Sequence, residues 1–269
     1  MHERDKSIPS TLVSRVLLTV VALAALLFLV LPIFVVVPMS FSASRYLAFP
    51  PPSWSLRWYT EYFASAEWML ATGVSLQTAA ATCLLATPIG VAAAYAINMR
   101  KSALTELVYA LLMVPLMIPH IIVAVGVFFL FARLNLNNSF IGLILAHTML
   151  AIPFVLITTL SGLQGFDMTQ ERAARSLGVN RVTAFLKVTA PQIKGSIIAG
   201  ALFAFISSLD EVVVSLFVSG GPTSTLPKRM FVALRDEVDP IIAAISSLLI
   251  IASLAIGLAA LVANRKAAS

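Results

Sequence analysis

The chain has 269 residues, of which 59% are hydrophobic and only 11% charged, and its mean hydropathy is +0.96. A soluble domain carries about a quarter charged residues, so this is the composition of a membrane protein. The net charge of +6 does not point to nucleic acid, because the basic residues sit in short stretches between apolar runs, and the lone cysteine, Cys83, excludes an internal disulfide and every multi-cysteine metal site.

In chain order, residues 1–15 form a polar tail with Arg4, Lys6 and Arg15. Residues 16–38 are a first span, since about 20 apolar residues cross a bilayer core. The run is too long for a signal-peptide core and no small-residue cleavage pattern follows, so it reads as retained. Residues 39–69 gather Pro50, Pro51, Pro52, Trp54, Trp58, Tyr59, Tyr62, Phe63 and Trp68. Such rings favour the membrane–water interface, and 55–65 reads as a short helix there; a packed external loop fits equally well. Residues 70–98 are a second span, ended by Arg100 and Lys101, with Cys83 as a buried inert thiol. Residues 107–132 are a third, which Pro115 and Pro119 should kink. Residues 139–163 are a fourth, 193–219 a fifth and 240–263 a sixth, closed by Arg265 and Lys266 in a tail at 264–269. His120 and His147 fall inside spans and read as hydrogen-bonded packing residues without a functional role.

Six spans put both ends of the chain on one side. The loops on that side (1–15, 98–106, 164–194 and 264–269) hold twelve Lys and Arg, against six in 39–69, 133–138 and 220–239. Positive charge stays inside, so both termini and the 164–192 loop are expected to be cytoplasmic.

That loop carries the stretch DMTQERAARSLGVNRVTAFLKVTAPQIKGSIIAG, residues 167–200. Asp167 and Gln170 have capping-box spacing. Ala173, Ala174 and Leu177 share one face of a short helix, with Glu171 and Arg172 at its start and Arg175 on its exposed side. Gly178 is placed to end that helix in a left-handed conformation. Asn180 can cap a second helix, which Pro191 limits or kinks. The segment resembles the cytoplasmic Glu-Ala-Ala loop of ABC importer permeases, through Ala173, Ala174, Gly178 and Pro191. Arg172 stands where that family usually has Glu, with Glu171 one residue earlier, and Ala190 replaces the usual Leu.

In the fifth span Ser196, Gly200, Ala204 and Ser208 recur every four residues, a stripe that lets helices approach closely in lipid. Just past it lie Asp210 and Glu211. A continuous helix from Gly195 would place them roughly 22 Å along the axis. A carboxylate at that depth costs at least about 2.5 kcal/mol unless it faces a cavity or a partner. Either acid could line a route for a cationic solute, or hydrogen-bond a neighbouring span or gate the outer mouth. Residues 207–231 resemble the spermidine/putrescine branch of ABC importer permeases, through Asp210, Glu211, Phe217 and Thr225-Leu226-Pro227. Leu56, Trp58, Tyr59, Phe63 and Trp68, and the VPLMIP run of the third span, fit the same branch, which also holds opine and aminobutyrate importers.

The resemblance implies an all-α membrane protein with six transmembrane helices and a cytoplasmic coupling-helix loop, the type I ABC importer permease fold. It also implies a multi-pass protein of the bacterial inner membrane. The implied partners are a second permease subunit in a heterodimer, two ATPase subunits that supply ATP and Mg, a periplasmic or extracellular solute-binding protein and membrane lipid. No nucleic acid and no metal are expected. External loop 220–239, with Lys228, Arg229, Asp236, Glu237 and Asp239, is a candidate surface for the binding protein. The chain lacks a G-x-x-x-x-G-K-[ST] phosphate loop, an H-E-x-x-H pair and a G-x-S-x-G turn, so catalysis in this polypeptide is not expected. The competing class is a secondary transporter or channel driven by ion gradients, but the halves show no convincing inverted repeat.

Overall fold

A computed structural model describes residues 12–100, 102–236 and 239–268. Arg4, Lys6, Lys101 and Glu237 lie outside the described residues, as does most of the 1–15 tail. The described chain is helical, apart from one isolated antiparallel bridge between Ser42 and Trp54. It forms two units: Met1–Tyr62 with Val238–Ile250, and Phe63–Glu237 with Ile251–Ser269.

The first unit contains α1 (Leu12–Ser40), α2 (Arg57–Ala64) and the start of α13 (Ile241–Ala268). Leu23, Phe28 and Phe34 on α1 are all more than half exposed, as expected of a surface that meets lipid. The helix ends at Ser40, whose Oγ donates to Val37 O at 2.6 Å and shares a 2.7 Å hydrogen bond with Tyr59 Oη. That bond, with Phe41 against the Tyr59 ring at 5.3 Å, ties α2 to the end of α1. Between them the bridge is held by Ala43 N to Ser53 O and Ser55 N to Phe41 O, at 3.0 and 2.7 Å.

The second unit is built on α6 (Phe140–Gln164), with α3 (Ala66–Met99) and α10 (Lys194–Leu209) packed against it. In lipid this association cannot draw on the hydrophobic effect and depends on close contact. Small residues provide it. A Cβ on Gly90 would fall 2.6 Å from Val155 Cβ, and one on Gly200 2.5 Å from Thr158 Oγ1 and 3.0 Å from Val155 Cα. A Cβ on Gly162 would meet Ser196 Oγ at 2.4 Å. Around these contacts Ala86, Val91, Ala151, Val155 and Ala204 form a buried cluster.

Among the described residues, three helices are long and apolar enough to cross a membrane: Leu17–Ser40, Ala66–Met99 and Phe140–Gln164. A shorter apolar helix occupies Ile241–Gly257. The third expected span is bent, as its prolines suggested, and the fifth is not the continuous helix read from the sequence. The third is α4 (Ala103–Met117) and α5 (His120–Leu134), bent by 108° at Ile118–Pro119. Pro115 stays inside α4 while Pro119 starts α5, because a proline is tolerated where no backbone donor is needed.

The fifth span begins after an 84° bend at Ile193 and stops at Leu209 rather than running on to residue 219. Asp210 takes the C-cap position, and a separate α11 (Val213–Val218) follows. The acids break the helix because a side-chain carboxylate offers the backbone a competing acceptor, and Glu211 takes that role. Beyond a short 3₁₀ turn at Gly221–Thr223, α12 (Leu226–Asp236) returns to α3.

Gly200→Ala should lower the thermal midpoint of the purified protein, by the equivalent of about 1–3 kcal/mol of overpacking. Gly126→Ala, where nothing lies within 4 Å of the added Cβ, should not. Equal midpoints for the two variants would contradict the close contact between α10 and α6.

Candidate functional site

Two regions hold the residues singled out by the sequence. The first is the knuckle between α6 and α10. It consists of α7 (Thr169–Ser176), α8 (Arg181–Ala184), a π turn at Phe185–Thr189 and α9 (Ala190–Gln192). The capping box expected from Asp167 and Gln170 does not form. Met168 holds the N-cap position without a side-chain bond, and Asp167 Oδ1 instead accepts from Thr169 N at 2.9 Å. That backbone hydrogen bond, with Arg172 nearby, holds the Asp167 carboxyl below the usual carboxylate range. Gln170 and Gln192 are both exposed, and Gln170 Oε1 accepts from Gln192 Nε2 at 2.6 Å.

The end of α7 follows the spacing of its residues. Gly178 has φ +91°, Gly178 N donates to Arg175 O at 3.0 Å, and Val179 N to Ala174 O at 3.4 Å. These are the two crossed bonds of a Schellman cap, which needs a residue with positive φ at this position. Asn180 then caps α8 by accepting Thr183 N on Oδ1 at 2.8 Å. Pro191 lies in the first turn of α9, two residues before the 84° bend.

Glu171 is fully buried rather than displayed at the start of the knuckle. One carboxylate oxygen accepts from Tyr95 Oη of α3, the other from Thr189 Oγ1 of the π turn. The Tyr95 ring also lies 4.7 Å from that of Phe185. A charge this deeply buried is tolerated when hydrogen bonds satisfy it. Glu171 is thus an internal bracket that fastens α7 to the C-terminal part of α3 and to the π turn. Arg172, Ala173 and Arg175 are exposed and Ala174 half-buried. Leu177 is 86% exposed, Val182 68% and Leu186 60%, which leaves apolar side chains outward on an otherwise polar element.

The second region lies at the two breaks. Asp210 is exposed at the end of α10, whereas Glu211 is buried. Phe217 is half-buried, its ring 6.5 Å from that of Phe128 on α5. Gly200, Ala204 and Ser208 of the stripe are buried and Ser196 half-buried, facing α6 within this chain. The two histidines, expected as hydrogen-bonded packing residues, have partners that the sequence did not name. His147 of α6 is buried; its Nδ1 bonds Ser208 Oγ of α10 at 2.8 Å and its Nε2 bonds Ser215 Oγ of α11 at 3.0 Å. One ring thereby bridges the break in the fifth span. His120 Nδ1 lies 3.5 Å from Glu211 Oε2. An apolar-context histidine with serines in a later span is the only sequence signal for the first contact, and it names no partner.

In the 220–239 segment, Lys228 and Arg229 are engaged within the chain. Lys228 Nζ donates to Leu216 O at 3.2 Å and to Ser219 O, and burial pushes its pKa down. Arg229 pairs with Glu67 and lies over the Trp68 ring at 5.3 Å. Leu226 N donates to Ser75 Oγ at 2.8 Å, so three contacts fix α12 to α3. Asp236 pairs with Arg235, and Asp239 Oδ1 accepts Ile241 N at the start of α13.

Residues 86–267 match the family described as binding-protein-dependent transport system inner membrane component. The chain is 33% identical over 240 residues to the spermidine/putrescine transport system permease protein PotC of Haemophilus influenzae, covering 89% of this chain and 93% of that one. It is 31% identical over 238 residues to the putrescine transport system permease protein PotI of Escherichia coli K12, covering 86% and 84%. Among solved structures, its fold is similar to a chain of a bacterial ABC transporter involved in the import of the acidic polysaccharide alginate. The TM-score there is 0.69 at 17% identity, over 92% of this chain and 93% of that chain.

Glu171→Ala should leave the Tyr95 and Thr189 hydroxyls without an acceptor and loosen α7, at a cost of about 1–3 kcal/mol. Trypsin should then cut faster at Arg172 and Arg175, with Glu171→Gln intermediate. Unchanged cleavage in Glu171→Ala would show that the bracket does not hold the knuckle.

Proposed function

The chain belongs to the binding-protein-dependent transport system inner membrane components, and from that premise we propose that it forms half of the translocation pathway of an ATP-driven importer for a small cationic amine. A polyamine, spermidine or putrescine, is the solute we favour. The similarity to PotC and PotI along most of the chain carries this reading. The exposed Asp210 at a helix break supports it chemically. An ammonium group is attracted to a carboxylate where water is scarce and the effective dielectric low. An opine or aminobutyrate importer would share these features and differ in the solute its binding protein delivers. A secondary transporter would not need a binding protein, which is what gives the family its description.

The partners follow from the family: another permease subunit, ATPase subunits and a solute-binding protein. We assign the sister subunit as a different chain, so that the pathway lies in a heterodimer. ATP and Mg are held by two ATPase subunits and not by this chain. Both termini and the 164–192 loop face the cytoplasm, on the charge asymmetry of the loops. Glu171, Arg172, Ala173, Ala174, Arg175, Gly178 and Pro191 shape the coupling knuckle. Its exposed Leu177, Val182 and Leu186 offer an apolar grip to an ATPase, while buried Glu171 passes displacement to α3 and α10. The binding protein meets the outer segment 220–239 through its exposed parts, because Lys228 and Arg229 are occupied within the chain.

Two experiments test this. The assembled importer in vesicles, supplied with its binding protein and ATP, should accumulate labelled spermidine. Asp210→Asn should raise the KM for uptake about tenfold or more. Uptake without the ATPase would favour a gradient-driven transporter, and unaltered uptake by Asp210→Asn would remove that acid from the route. Gly178→Val should uncouple ATP hydrolysis from uptake, since a left-handed conformation costs a branched residue about 1–2 kcal/mol or more. Nothing lies within 4 Å of the added Cβ, so that cost is conformational and not steric. Full transport by Gly178→Val would show that coupling does not need this turn.

A further inference from the structure

The two neighbouring acids have different surroundings. Asp210 is exposed, while Glu211 is only 7% exposed and has both oxygens occupied. Oε1 accepts from Val214 N at 2.8 Å, in the first turn of α11. Oε2 lies 3.5 Å from Nδ1 of His120, the first residue of α5. One carboxylate therefore touches the opening turns of both segments that follow a break. Behind it the same two helices share a core: Val214 and Val218 pack with Ala124, Val127 and Phe131. At the far end Asn138 N, just past α5, donates to Val218 O at 2.8 Å.

We propose that Glu211 and His120 form a clamp that joins α5 to α11 as one moving body, which makes Glu211 a positioning residue and not a solute ligand. A carboxylate buried in a membrane protein is kept where partners surround it; here the Val214 amide donates to it and the His120 ring lies beside it at ion-pair distance. The clamp sits beside the exposed Asp210, so it sets where that acid stands relative to α5. The proposal deepens the importer reading, since what the body moves for depends on it. The clamp itself can be read without transport.

The test uses the assembled importer in nanodiscs and vesicles, with Glu211→Ala, His120→Ala, the double variant, and the milder Glu211→Gln and His120→Gln. A glutamine at 211 still offers an acceptor to Val214 N and an amide to His120, without the charge. A clamp predicts that Glu211→Ala and His120→Ala each lower kcat for labelled putrescine uptake by about tenfold, with KM within about twofold. It also predicts that the double variant is no worse than the worse single, and that Glu211→Gln stays within about twofold of wild type. If Glu211→Gln instead raises KM about tenfold at an unchanged thermal midpoint, Glu211 is a ligand and the proposal falls. If wild type takes up no putrescine, the solute class is wrong, and the thermal midpoints decide the clamp alone. Shifts for positions 120 and 211 that do not add sustain it, and additive shifts overturn it. Should the alanine variants fail to assemble, Glu211→Gln alone decides: kcat and KM within about twofold of wild type sustain the clamp, and a KM raised about tenfold overturns it.

Discussion

A helix of six residues buried in a membrane protein is stable only if partners outside it take up its unpaired backbone groups. At such a length the first amides and last carbonyls make up most of the backbone polar groups, and lipid supplies no water for them. α11 meets this constraint at both ends. Glu211 accepts from Val214 N at its start, and Lys228 Nζ donates to Leu216 O and Ser219 O at its end. His147 fixes its middle through Ser215 and the preceding helix through Ser208. The region around Asp210 depends on these side-chain bonds, because the backbone ladder that would otherwise hold it stops at Leu209.

The knuckle follows a related logic. The buried carboxylate of Glu171 collects hydroxyls from α3 and from the π turn, so α7 is attached to both through one side chain. Gln170 and Gln192 add a second bond between α7 and α9. What remains outward is Arg172, Arg175 and the apolar Leu177, Val182 and Leu186. Inward polar groups determine where the outward groups stand, and the whole hangs from the α3–α6–α10 core with its glycine contacts.

Much of this was legible in the sequence where one residue type decides the outcome. The apolar lengths of α1, α3 and α6 announce themselves. Gly178 and Asn180 act through the local backbone, so their spacing identifies the turn and the cap. The breaks were not legible in the same way. Pro32, Pro38, Pro88, Pro115 and Pro153 all lie inside helices, and only Pro119 coincides with a break in its span, so proline alone does not separate a kink from a stop. Asp210 and Glu211 were conspicuous as charges, but a hydropathy average cannot say that Asp210 stays exposed while Glu211 is buried against the start of α11. Glu171 looked like a surface residue because its partners are 76 and 18 residues away. The Asp167 capping box failed although its spacing was right, because Gln170 found a better partner in Gln192.

The π turn at Phe185–Thr189 has a further consequence. A π turn takes in one residue more than the α-helical ladder would, and each residue rotates a helix by about 100°. The orientation of α7 and α8 against α10 is therefore a matter of residue count. A single insertion or deletion within 185–189 would swivel the knuckle like a dial while every transmembrane sequence stayed the same. A lineage could thus retune how its permease meets a new motor through length alone, without redesigning either surface.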